Sequence, residues 1–157
     1  MTRRTALSLT ALLALSTGLT QAWAKPNYSG DWKMNAEKSN YGPVPAPDKL
    51  TRKITHADPS LKMTTTQSGQ QGEFTSELTY TTDGKESVNK IRGTEVKGAA
   101  KWDGDTLVIT SKREIQGAEL TFQEKWTLSA DGKTLTIANH INSPQGEIDI
   151  TLVLEKQ

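Results

Sequence analysis

The chain has no cysteine, which excludes disulfides, thiolate metal centres and a lipid anchor on an N-terminal cysteine. Aromatic side chains are scarce at 6%, with only two phenylalanines, so any core must lean on a few large rings. An excess of one charge is also lacking, because 19 basic and 18 acidic residues nearly cancel. That balance gives neither nucleic acid nor an anionic membrane surface an electrostatic hold. Two isolated histidines, His56 and His140, come without a carboxylate cluster, and no nucleophile motif accompanies them. Metal site, cofactor and hydrolase triad are therefore not expected.

What is present begins with a leader. Residues 1–24 carry Arg3 and Arg4, an apolar stretch from Ala6 to Leu19, and Ala22-Trp23-Ala24 with small residues around a cut after Ala24, the pattern of a secretory signal peptide. Thr2-Arg3-Arg4 leaves both an ordinary basic start and a twin-arginine signal open. The stretch is short for a membrane span, and nothing later is continuously apolar. A mature protein of residues 25–157, periplasmic or secreted, is expected, with no integral membrane segment. Loss of Arg3 and Arg4 leaves 17 basic residues against 18 acidic ones, in a length that suits one domain.

Val, Ile, Thr and aromatic residues then recur in short alternating runs, punctuated by Asp58-Pro59, Asp83-Gly84, Arg92-Gly93, Asp103-Gly104, Gln116-Gly117, Asp131-Gly132 and Ser143 to Gly146. Such spacing reads as about ten antiparallel strands joined by tight turns. Pairing about those turns opposes Leu61 to His56, Met63 to Ile54, Leu78 to Met63, Val96 to Asn89, Ala100 to Leu107, Trp126 to Leu107, Ile137 to Trp126 and Leu152 to Ile137. One face is then apolar throughout, and the other is rich in Thr, Lys and Glu. With no helix to cover the apolar face, the sheet must close on itself. The expectation is an all-β, up-and-down antiparallel meander closed into one small barrel of about 8–10 strands, with a flattened sandwich as the variant that local register does not separate. A polar exterior is the reverse of an outer-membrane barrel. Pro43, Pro45 and Pro47 make Ala36 to Asp48 an extended strap after the first strand, crossing one end.

Tyr28-Ser29-Gly30-Asp31-Trp32-Lys33-Met34 opens the first strand with a G-x-W that resembles the start of lipocalins and fatty-acid-binding proteins, the calycins. The resemblance covers the whole mature chain at the level of architecture and implies that Trp32 plugs one end. It extends to the lipocalin-like proteins that many bacteria export, and strand number places the chain nearer the fatty-acid-binding proteins. Two departures stand out. The strap replaces that family's helix pair, and Leu152-Val153-Leu154 stands where it commonly has Arg-x-Tyr, so a fatty acid held in that family's way is not implied.

Several polar side chains fall on the inward face: Arg52, His56, Thr65, Gln67, Ser76, Ser87, Asn89, Ser111, Arg113, Glu124 and Asn139. So many require either a paired internal network or a ligand-sized wet cavity. Those near strand ends, such as Arg52, His56 and Arg113, also suit a solvated rim. Glu124 and Asn139 are set directly opposite each other in mid-strand, beside Ile109 and diagonal to Ser111. A carboxylate enclosed by Trp126, Phe122 and Ile109 is penalised by desolvation, which marks functional sites but equally suits structural pairing with Arg113. Candidate ligand-binding residues are Glu124, Asn139, Arg113, Ser111, Asn89, Trp102, Trp126 and Phe74. The reading is a monomeric exported barrel that takes a small apolar or amphipathic molecule inside. Its alternative is a plugged module without a ligand, binding an envelope protein through the strap around Tyr41 and Val44. An enzyme with Glu124 as general acid or base ranks last, since no reaction is specified.

Overall fold

Strict alternation along the chain produces ten strands: β1 (Gly30–Met34), β2 (Lys49–Ala57), β3 (Ser60–Gly69), β4 (Gly72–Thr81), β5 (Asp83–Ile91), β6 (Thr94–Asp103), β7 (Thr106–Ile115), β8 (Ala118–Leu128), β9 (Thr134–Ser143) and β10 (Gly146–Lys156). The computed structural model describes residues 24–70 and 72–157; the leader expected over 1–24 lies outside the described residues, apart from Ala24. Among the described residues no segment is helical, and no helix is long and apolar enough to cross a membrane.

All pairings are antiparallel, and β1 pairs with both β2 and β10. The sheet therefore runs β4-β3-β2-β1-β10-β9-β8-β7-β6-β5. Its end strands β4 and β5 lie side by side, which makes a nearly closed barrel. The turn-based register holds at His56–Leu61, Ile54–Met63, Met63–Leu78, Asn89–Val96, Leu107–Trp126, Trp126–Ile137 and Ile137–Leu152. It is corrected at one turn. Gly104-Asp105, not Asp103-Gly104, forms the β6–β7 loop, so Ala100 opposes Ile109 and Trp102 opposes Leu107. Gly104 has φ +58°, and a hairpin loop that needs positive φ at its first position is met there by glycine without strain. A displacement of two residues leaves every side chain on its face.

The core fills one end of the barrel. Tyr28, Trp32, Trp126, Leu107, Leu135 and Leu154 are all buried. Tyr28 meets Trp126 edge-on at 5.5 Å and 89°, a favoured aromatic geometry. Their polar ends are satisfied, the Trp32 indole N–H donating to the Tyr28 carbonyl at 2.9 Å and the Tyr28 hydroxyl to the Trp126 carbonyl at 3.0 Å. Trp32 thus plugs an end, as the G-x-W implied.

The strap rises beside β10, where Asn40 exchanges backbone hydrogen bonds with Thr151 at 2.7 and 2.8 Å. It returns past Ser68, whose carbonyl accepts from Asp48 N–H at 2.9 Å. The second anchor places its return at the rim opposite the plug. Tyr41 turns inward from it and packs on the core, its hydroxyl 3.4 Å from Met34 Sδ.

Gly98 permits a close approach inside the wall. A Cβ there would stand 2.8 Å from the Thr110 carbonyl oxygen, 2.9 Å from Ser111 Cβ and 3.0 Å from Tyr80 Cε1. Backbone cannot yield as a side-chain tip does. Gly98→Ala is expected to destabilise the protein by about 1–3 kcal/mol, the range for overpacking, read as a lowered urea midpoint.

Candidate functional site

Above the plug, the inward face changes from apolar to polar. Strand β2 brings Arg52, β3 Thr65, β4 Tyr80, β7 Ser111 and Arg113, β8 Glu124 and β9 Asn139, each at the inward parity of its strand. Arg52 Nε–H donates to Thr65 Oγ1 at 2.9 Å, and its guanidinium lies 5.4 Å from the Trp126 ring. The Trp126 indole N–H donates to Glu124 Oε2 at 2.7 Å. Glu124 stands opposite Asn139 on β9 and Ile109 on β7. Plug and polar layer therefore meet at Trp126.

The electrostatics tie these groups together. Burial pushes the Tyr80 phenol up to about 12, with the Glu124 carboxylate adding to the rise and Ser111, Arg52 and Arg113 opposing it. Burial also lowers the Arg113 guanidinium from its ordinary value, against the pull of Glu124 and Tyr80. Two guanidiniums face one carboxylate, an excess of one positive charge. Arg52 Nη1, Arg113 Nε and Asn139 Oδ1 are moreover buried without a hydrogen-bond partner. Each such group costs about 1–3 kcal/mol unless something pairs with it.

From this layer the barrel opens toward the strap end. A half-open cavity of about 390 Å³ is lined there by Gln67, Phe74, Ile91, Arg92, Arg113 and Ile115, among others. The Arg113 guanidinium lies 4.5 Å from the Phe122 ring, and that of Arg92 4.1 Å from Phe74. A larger concavity of about 600 Å³ lies mainly outside the wall, among outward residues such as Lys97, Ala99, Thr110, Lys112 and Glu119. It includes the exposed Lys112–Glu119 ion pair at 3.1 Å, and of the polar layer it touches Arg113 alone.

No family model matches the sequence, and no curated protein matches it. Solved structures do match. A secretory abundant heat soluble protein from Ramazzottius varieornatus superposes with TM-score 0.62 at 12% identity, covering 86% of this chain and 98% of that one. Zebrafish ileal bile acid-binding protein complexed with cholic acid gives 0.54 at 20% identity, over 83% and 98%. Human cRBP IV gives 0.53 at 15%, also over 83% and 98%. The fold is that of a calycin barrel.

In this barrel the expected site residues separate into groups. Glu124, Asn139, Ser111, Arg113 and Trp126 form the polar layer and its floor, while Phe74 sits higher, at the mouth. Trp102 belongs to the plug instead. Its indole N–H donates to Asp58 Oδ1 at 3.1 Å, and its ring lies against Tyr28 and His56. Asn89 stands at the β4–β5 edge, with its amide bonded both ways to the Thr79 backbone. Arg52, Tyr80 and Arg92 belong to the site but not to the candidates expected from sequence. Arg52 carries the same inward-parity signal as Glu124, whereas Arg92 is a turn residue with no pattern to mark it.

Both histidines have structural partners. His56 is buried and accepts the Tyr28 N–H on Nδ1 at 3.3 Å. His140, on the outer face, lies 2.8 Å from Asp149 Oδ1, and that hydrogen bond raises its pKa. A raised folded pKa adds stability that is complete below the unfolded value near 6.5. It disappears as pH rises through the folded value. NMR titration should show the His140 midpoint falling in Asp149→Asn; an unmoved midpoint removes the pair.

Proposed function

We propose that the chain is an exported barrel that binds one small amphipathic molecule in its interior. Its polar end faces Arg52, Arg113 and Asn139, and its apolar body extends past Phe122 toward Phe74 and Ile91 at the mouth. One observation carries this reading: three buried polar atoms without partners lie in the unplugged part of the barrel. Buried polar groups mostly find partners; outside this layer His56 Nε2 and Thr81 Oγ1 also lack one, but only here do three such atoms share one layer of the barrel. A mouth cavity of about 390 Å³ is the size of a small-ligand pocket. The zebrafish relative in complex with cholic acid supports the use of this scaffold for an amphipathic acid.

Export rests on the leader, and Lys25, the first residue after the expected cut, fits the barrel's closed end. Its ammonium donates to the Gly104 carbonyl at 2.5 Å and lies 5.5 Å from the Trp102 ring. Expressed in a bacterium, the full chain should accumulate in the periplasm or medium with Lys25 as its N-terminus.

The binding test is a thermal-shift screen of the purified protein against fatty acids, isoprenoid acids, sterol acids and their uncharged analogues. A ligand at a hundred times its Kd stabilises by about 2.7 kcal/mol, a clear rise in Tm. A flat response across the panel would overturn the reading in favour of a plugged module.

A further inference from the structure

The polar layer above Trp126 is unpaired on both sides of the hydrogen bond. Arg52 Nη1 and Arg113 Nε carry protons to donate, whereas Asn139 Oδ1 only accepts. Glu124 is a second acceptor, directly opposite Asn139 across β8 and β9, and its Oε2 takes the Trp126 indole N–H at 2.7 Å. Side chains so opposed have Cβ atoms about 5 Å apart, so one small group reaches both. The Tyr80 phenol senses Arg52, Arg113 and Glu124 together, which gathers the three charges around one part of the interior.

An ionised carboxylate has acceptors only. Set against the guanidiniums it pairs with both, yet it leaves Glu124 and Asn139 without a proton and brings them a further acceptor. A hydroxyl on an adjoining carbon supplies that proton. An ammonium would supply it too, but charge decides against it. Arg52, Arg113 and Glu124 sum to one positive charge, which a hydroxy acid cancels and a zwitterion leaves in place, and uncancelled charge away from water is costly. An amide N–H comes with a carbonyl, so it adds one acceptor for each donor.

The remainder of such a molecule has a path along β8. From Glu124 to Leu120, which opposes Arg113, is about 13 Å of strand, with Phe122 and Ile141 paired on the wall between. Arg113 reaches back along this path, its guanidinium 4.5 Å from the Phe122 ring.

We propose that the interior selects hydroxy acids, amphiphiles with a hydroxyl on the second or third carbon, the acid held by Arg52 and Arg113 and the hydroxyl donating to Asn139 and Glu124. The inference rests on the proposed function, whose ligand it narrows. A site built to hydrogen-bond a hydroxyl discriminates against the analogue that lacks one, because its polar groups then stay buried and unmet.

The experiment is isothermal titration of the purified protein with decanoic acid and with the separate enantiomers of 2- and 3-hydroxydecanoic acid, on the wild type and on Asn139→Leu. For the wild type, the tightest hydroxy acid should have a Kd at least about tenfold below that of decanoic acid. Asn139→Leu keeps the side-chain size and removes the acceptor, and the ratio should shrink at least about threefold. The wild-type comparison decides the matter by itself if that variant fails to fold. Equal binding of decanoic acid and its hydroxy derivatives overturns this inference and leaves the binding reading intact, as does a preference that Asn139→Leu does not reduce. Binding of a sterol or isoprenoid acid with none of the decanoic acids also overturns the hydroxy acid alone. Failure of every acid to bind overturns both readings.

Discussion

Trp126→Ala lowers the unfolding free energy by about 3–5 kcal/mol, the range for emptying a large buried ring site. Such a loss is a large share of the roughly 5–15 kcal/mol that holds a typical domain folded. Trp126 has no exposed surface and joins two regions of the barrel. On one side it meets Tyr28 edge-on and is paired with Leu107 and Ile137; on the other it donates to Glu124 and lies under Arg52. Alanine leaves a cavity that rigid strands cannot collapse into, and it takes from Glu124 its indole donor. Trp126→Phe separates the two effects, because it keeps most of the volume and removes the N–H. Its cost should be at the lower end of about 1–3 kcal/mol, the range for leaving an acceptor unpaired, because Glu124 is only half-buried. Urea unfolding followed by circular dichroism measures both, and a loss below about 1 kcal/mol for alanine would contradict the central role of this ring.

Arg113→Met acts in opposite directions on binding and on stability. Affinity for a monoanionic amphiphile should fall at least tenfold, or about 1.4 kcal/mol, while that for the corresponding alcohol changes little. Stability should hold or rise, because methionine removes a desolvated guanidinium whose Nε–H has no partner and fills much of its volume. The interior charge explains the sign. Arg52, Arg113 and Glu124 sum to one positive charge, so a bound anion balances the site in the wild type, and loss of Arg113 balances it without one. Isothermal titration and thermal unfolding on one preparation test the pair of effects. A variant that loses stability and keeps its affinity would make Arg113 a structural residue.

Much of this architecture is legible in the order of residues. The opposition of Glu124 to Asn139 follows from a single turn around Asp131-Gly132, because antiparallel pairing propagates from a turn without error along a regular strand. The inward position of Arg52 follows from the same parity. Where turn chemistry is ambiguous, as at Asp103-Gly104-Asp105, the register moves by two and the face does not change. Trp102 and Asn89 show the limit of such reasoning. Both obey inward parity, but one is held at the closed end by Asp58 and the other is spent on Thr79. Parity states which side of the wall a residue takes and says nothing of its height along the barrel or of its partners.

Amino-acid order alone sets an inside and an outside for each strand, because side chains alternate every second position whatever the strand's neighbours. It also requires the sheet to curl, since no other element can cover its apolar face. The closed barrel is what settles which end is filled, which inward polar groups go unpaired, and where the wall is joined by side chains in place of backbone. Those outcomes depend on distances across the barrel between strands remote in sequence, such as β2 and β7, or on how the two ends of the sheet meet at β4 and β5, and no local pattern encodes them.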